Sequence, residues 1–265
     1  MLASDRRVSW PLGPLPRNDM GEPRTYRYSA FNSRRPESDA LVAFEVRVKE
    51  TDLLIKADRN LADQAVGSVR AARRAVEDYI RDHPLFKSSL KPYEAVHPAP
   101  PIIIDMARAA SRAGVGPMAA VAGAIAEHVG RELLKYSAEV LVENGGDVFV
   151  KTQVPRLMGI YAGLSSLSQK IALKISPGQT PLGVCTSSGT VGPSLSFGRA
   201  DAAVILSSWT ALADAAATAV ANTVQGPDDI GRGLERAMRI EGVTGAVIVL
   251  GDHMGAFGEV ELERV

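Results

Sequence analysis

Hydrophobic and polar positions fall into a regular rhythm from residue 42. Val42, Phe44, Val46 and Val48 alternate with other residues, which is the period of a half-buried strand. "KETD" interrupts the run and Leu53 to Ile55 resume it, so the segment predicts a hairpin. From Asn60 the spacing changes. Leu61, Ala65, Val69, Ala72, Val76 and Ile80 recur three or four apart with charges between them, predicting an amphipathic helix that stops near His83-Pro84. "YEAVHPAPP" reads as a proline-stiffened connector. "IIIDMARAASRAG" predicts a helix closed by Gly114 as its C-cap. "VGPMAAVAGAIAEHVGRELLKY" predicts one long helix beginning at Pro117, because proline lacks only an N–H that the first helical turn leaves unpaired anyway.

The second half is richer in strands. "EVLVENGGDVFVKT" holds two Val-rich runs around Asn144-Gly145-Gly146-Asp147. Strands are expected at 157–162, 171–175 and 202–207, helices at 210–223 and 228–240, and two closing strands in "AVIVLG" and "AFGEVELERV". Hairpins and helices mix without a β-α-β-α alternation. The expected class is therefore α+β, with layered, mixed or antiparallel sheets and packed helices.

Composition narrows the partners. Thirty basic residues balance thirty acidic ones, which argues against nucleic acid or an anionic membrane as a partner. The single cysteine cannot form an intrachain disulfide, and no apolar run is long enough for a transmembrane helix. The expectation is a cytoplasmic protein, with a homo-oligomer left open. Residues 1–38 are rich in Arg, Pro, Asn and Ser and show no period, so they are read as an extended or disordered arm. Met20 is an alternative start. Residues 39–265 are read as one domain.

Several short segments carry candidate chemistry. Asn144-Gly145 between β-like runs is a strong turn signal, while the paired glycines also let backbone approach a ligand with Asp147 at the rim. "AGVGPMAAVAG" places glycine before a helix start, where free N–H groups attract anions; Gly116 and Met118 are candidates there. Asp214 and Thr218 stand four apart and share a helix face, so carboxylate and hydroxyl both reach one hard cation such as Mg²⁺. On spacing alone, a carboxylate favouring the first helical turn and a threonine packed among alanines are the better explanation. "CTSSGTVGPSLSFG" holds Cys185 and six hydroxyl side chains but no base. Without a base or an activating motif it is a weak nucleophile loop. The four histidines lack metal-ligand spacing, and His128, on the expected long helix, is read as a satisfied or solvated histidine in preference to an inward-facing one.

The order of these segments is more specific than any one of them. "VAGAIAEHVGRELLKY", "EVLVENGGDVFV", "GVCTSSGT" and "ADAAVILSSWTALADAAATAV" together resemble the ApbE-type proteins, the FAD:protein FMN transferases. Over about residues 40 to 263 the chain resembles uncharacterised protein family 0280, a distant relative of that group, through "VKETDLLIKAD", "AGVGPMAAVAGAIAE", "VENGGDVFV", "GVCTSSGTVG" and "SLSFGRADA". The resemblance implies an ApbE-like fold with Asp214 and Thr218 as Mg²⁺ ligands, completed by a backbone carbonyl near Ala126–His128. It implies that Asn144, Gly145, Gly146, Asp147, Thr186, Ser187, Ser188 and Gly189 line a cleft for FAD, FMN or another nucleotide-like ligand. In the transferases Mg²⁺ neutralises the pyrophosphate of FAD, a protein hydroxyl attacks the phosphorus nearest riboflavin, and AMP leaves.

The chain also departs from that pattern. Where the transferases carry His-x-x-Asp-Pro-Arg-Thr-Gly, it reads "TVGPSLSFGRADA", with Pro193 where closer relatives have histidine, and Glu127-His128 replace a Lys-Gly pair. The expectation is a ligand-binding ApbE-like protein, and the missing His-x-x-Asp-Pro-Arg-Thr-Gly motif counts against FMN transfer. Two other readings are a small-molecule hydrolase or isomerase binding an anion on the Ser/Thr-rich loop, and a non-catalytic assembly protein.

Overall fold

The computed structural model describes residues 41–191 and 196–265. The expected arm at 1–38 and Pro193 lie outside the described residues. The alternating first segment forms β1 (Val42–Val48) and β2 (Thr51–Ala57), paired antiparallel, with Lys49 in the turn at a φ of 54°. Helix α1 (Ala62–Asp82) buries Ala65, Val69, Ala72 and Val76 as their spacing predicts. A short α2 (Pro84–Ser88) follows. Helix α3 (Pro101–Ala113) ends at Gly114, whose φ of 73° is the left-handed conformation that ends a helix most easily with glycine.

The strands β3 (Val140–Asn144), β4 (Asp147–Lys151), β7 (Leu182–Ser187), β8 (Ala202–Ser207), β9 (Val243–Leu250) and β10 (His253–Gly258) join β1 and β2 in an eight-stranded sheet of order β1-β2-β3-β4-β7-β8-β9-β10. The strands β5 (Arg156–Gly159), β6 (Ile171–Ile175) and β11 (Leu262–Arg264) form a second sheet. Pairing is antiparallel throughout the described residues.

Alternation along the large sheet sends side chains into two separate cores. Ile55, Val142, Phe149, Cys185, Ile205 and Ile248 face the helices. Leu141, Val148, Val184, Val204 and Val247 face the small sheet, where Met158, Leu173 and Ile175 meet them. A sheet covered on both faces is buried on both faces, which is why β8 reads as the unbroken apolar run "AAVILS".

Three expectations need correction. The long helix does not start at Pro117. Residues Pro117–Ala120 form a 3-10 turn, Ala120 leaves helical geometry at φ −114° and ψ 2°, and helix α4 runs Val121–Leu133. The closing segment is two strands, β10 and β11, in different sheets, separated after Gly258 at a φ of 85°. The third is β7, which the sequence presents as the start of a hydroxyl-rich loop and which is an interior strand between β4 and β8. Its Gly183 is obligatory, because a Cβ there would stand 2.5 Å from the Cα of Thr210 on the helix above.

Candidate functional site

Helix α5 (Thr210–Ala221) runs over β7 and β8 and is almost wholly buried. Its N-terminal turn is wedged between Gly183 below and Gly123 of α4 beside it. A Cβ on Gly123 would approach Thr210 O to 2.6 Å and Asp214 Cβ to 2.7 Å. The small residues of "AVAGAIA" therefore serve close helix approach.

At that contact each helix caps the other. The N–H of Gly123, in the first turn of α4, donates to Asp214 Oδ2 of α5 at 2.8 Å. The N–H of Thr210, at the start of α5, donates to Glu127 Oε2 of α4 at 2.7 Å. The first turn of a helix leaves N–H groups without intrahelical partners, and a carboxylate there gains from the helix dipole. Glu127 is buried and also pairs with Arg131. Sequence reasoning gave it no role; its only signal was a carboxylate on the helix face that the alanines mark as buried.

The β3–β4 hairpin closes the other side. Gly145 takes a φ of 67°, Asn144 pairs with Asp147 across the turn, and the Asn144 side-chain amide donates to the Ala122 carbonyl at 3.0 Å. Asn144 thus ties the hairpin to the start of α4. Asp147 is not at a rim. It is buried opposite Cys185 of β7, and its Oδ1 has no hydrogen-bond partner among the described residues.

Asp147 and Asp214 lie within electrostatic reach of each other. Burial raises the Asp147 carboxyl from an ordinary 3.8 to about 7, and the nearby Cys185 thiol and Thr186 backbone only partly oppose this. Burial raises Asp214 well above the usual carboxylate range, the charge of Asp147 adds to this, and N–H groups of Gly123 and Ala122 oppose it. Burial, followed by both carboxylates, pushes the Cys185 thiol up. Its Sγ donates to the Thr210 carbonyl at 3.5 Å, so Cys185 is a packed core thiol. Among the described residues no Lys, Arg or His bonds either carboxylate.

Residues 33–255 match a family model described as "AbpE bacteria". The UPF0280 protein of Methanocella arvoryzae is 40% identical over 218 residues, covering 81% of this chain and 87% of the relative. That of Methanococcus aeolicus is 39% identical over 222 residues, covering 82% and 90%. The chain belongs to the UPF0280 family. Among solved structures, the apo flavinyl transferase ApbE of Pseudomonas stutzeri aligns with a TM-score of 0.52 at 16% identity, covering 82% of this chain and 94% of that one. A mutant of the flavin transferase ApbE from Vibrio cholerae aligns at 0.54 and 12% identity, covering 82% and 97%. At these identities the shared property is the ApbE-like fold.

In this UPF0280 protein the remaining predicted residues divide. Thr218, half-buried one turn beyond Asp214, makes no side-chain hydrogen bond among the described residues. Ser187 is buried on the same face of β7 as Cys185, and its Oγ also lacks a partner. Gly146 lies against the Thr186 carbonyl, and the Thr186 N–H donates to Gly146 O at 2.9 Å. Ser188 Oγ accepts the N–H groups of Thr190 and Val191, and the Gly189 N–H donates to Ala200 O. Ser188 and Gly189 therefore build the turn after β7. Gly116 faces the Ser89 carbonyl, where a Cβ would sit at 1.8 Å, and Met118 packs against the helical core. These two stand apart from the carboxylates. The α4 groups that meet Asp214 are N–H donors at 122–123, a turn before the 126–128 carbonyls first considered. His128 is exposed. An open cavity of about 350 Å³ lined by Leu164, Ser165, Asp201 and Asp252 shares no residue with this set.

Proposed function

We propose that this UPF0280 protein binds a phosphate-bearing, nucleotide-like ligand through a divalent cation held at Asp147 and Asp214, with Thr218 and Ser187 beside it. The observation that carries this reading is the buried, unpartnered Oδ1 of Asp147 within electrostatic reach of the half-buried Asp214 carboxylate, with no basic side chain bonded to either among the described residues. Two carboxylates and hydroxyls suit Mg²⁺, which takes few protein ligands and completes its shell with water and phosphate oxygens. A bound cation supplies charge neutralisation for the ligand's phosphates. The chain's own contribution is position: Asn144 holds the hairpin against α4, and Gly123 brings α4 onto α5.

A flavin nucleotide is the first ligand to test, because two aligned solved structures are named as flavin transferases. Covalent FMN transfer has weaker support. It needs a group to accept the proton of the attacking hydroxyl, and no histidine among the described residues contacts Asp147 or Asp214. Calorimetry with FAD, FMN and ADP, with and without MgCl₂, tests the reading; cation-dependent binding supports it. Intact-mass measurement after incubation with FAD, Mg²⁺ and an acceptor protein distinguishes binding from transfer. Absence of binding by every nucleotide in the presence of Mg²⁺ or Mn²⁺ refutes the proposal.

A further inference from the structure

The β7–β8 connection returns to α5 next to the candidate site. Asp214, Thr218 and Asn222 recur every four residues along that helix, so they form one stripe. Asn222 Oδ1 accepts the N–H of Phe197 at 2.7 Å and faces the Ser196 hydroxyl at 3.2 Å, while the Gln225 amide donates to the Phe197 carbonyl at 2.9 Å. The backbone is seated tightly. A Cβ on Gly198 would stand 1.8 Å from the Ala221 carbonyl, and the Arg199 N–H donates to Val224 O at 2.7 Å.

With Gly198 pressed onto the helix end, its neighbours on either side stay outside. Phe197 is 60% exposed, and Arg199 is exposed with no side-chain hydrogen bond or ion pair among the described residues. A large aromatic side chain held outward by backbone bonds on both of its peptide groups gains nothing for the fold from its position. We propose that Phe197, with the exposed Arg199 two residues further on, is the stacking platform for the planar ring of the ligand whose phosphates lie at Asp147 and Asp214. The inference rests on the function proposed above and names its ligand class: a nucleotide with an aromatic ring, as opposed to a bare phosphate or pyrophosphate. Asn222 lies two helical turns beyond Asp214, roughly 12 Å along the axis at 1.5 Å per residue, a span suited to the linker between ring and phosphates. Both Phe and Arg faces hold planar rings by stacking.

The test compares FMN with inorganic pyrophosphate, each with Mg²⁺, on the full chain. Phe197→Ala is expected to weaken FMN binding about tenfold and to leave pyrophosphate binding unchanged. Phe197→Trp is expected to retain affinity and to quench bound flavin fluorescence more than the parent does. Equal FMN affinity in Phe197→Ala, with no added quenching in Phe197→Trp and pyrophosphate still bound, overturns the platform and leaves the cation site standing. Failure of the parent protein to bind either compound overturns both. Thermal melting of both variants reports folding, and the Trp variant supplies an independent readout if the Ala variant melts early.

Discussion

Asp147→Asn keeps the shape of the side chain and removes its charge. In the folded protein, burial holds the Asp147 carboxyl at about 7, against 3.8 when unperturbed. The folded state thus binds this proton more tightly than the unfolded chain does. Its stabilising contribution is complete below about pH 4, declines as pH rises toward 7, and stays lost above that. A gap of about three pH units at ~1.4 kcal/mol each makes the loss on the order of 4 kcal/mol. Asp214, raised in the same direction, adds to the trend. The expected result, from urea unfolding without divalent cations, is that the parent loses stability between pH 5 and 8 and the variant loses distinctly less. At pH 8 the variant should be the more stable protein, with a midpoint temperature roughly 10 °C higher for a chain of this size. Because a cation binds the ionised carboxylate, excess MgCl₂ should stabilise the parent more at pH 8 than at pH 5 and should leave the variant nearly unchanged. Parallel pH curves for the two proteins would refute the reasoning, since they would mean that Asp147 is not held protonated by its surroundings.

Two further perturbations examine the frame around that site. Gly123→Ala places a methyl group 2.6 Å from a backbone oxygen of α5; such overpacking costs about 1–3 kcal/mol, so the urea midpoint should fall, and an unchanged midpoint would show that the two helices separate freely. Cys185, fully buried and with its thiol pushed up by burial, should resist iodoacetamide in the native protein and react on denaturation, read by intact mass; rapid native labelling would place it in an open cleft.

Much of the architecture was legible because it follows from local periodicity. Leu61 to Ile80 repeat every three or four residues, and α1 buries that face. Val42 to Val48 alternate, and β1 follows. Asn144-Gly145 marks a tight hairpin and Gly114 a helix end, because few residues other than glycine adopt positive φ. Asp214 and Thr218 were legible as one face of a helix, and the likeness to UPF0280 proteins was carried by motifs in fixed order.

Other features depend on contacts between segments distant in sequence. "LGVCTS" ends in the polar residues of a loop, yet it is an interior strand because β4 and β8 supply its hydrogen-bond partners on both sides. Asp147 looked like a rim residue next to a glycine turn; pairing with Cys185 beneath α5 turns it inward. The mutual capping by Asp214 and Glu127 joins residues 91 and 83 positions apart, and no local pattern encodes such a distance. Sequence by itself determined the periods, the turns and the family, since each is set by steric preference and side-chain chemistry over a few neighbouring residues. Tertiary structure decided which polar groups lose water and what they face. Desolvation depends on everything packed around a group, and that packing buried Asp147 and brought it within electrostatic reach of the half-buried Asp214.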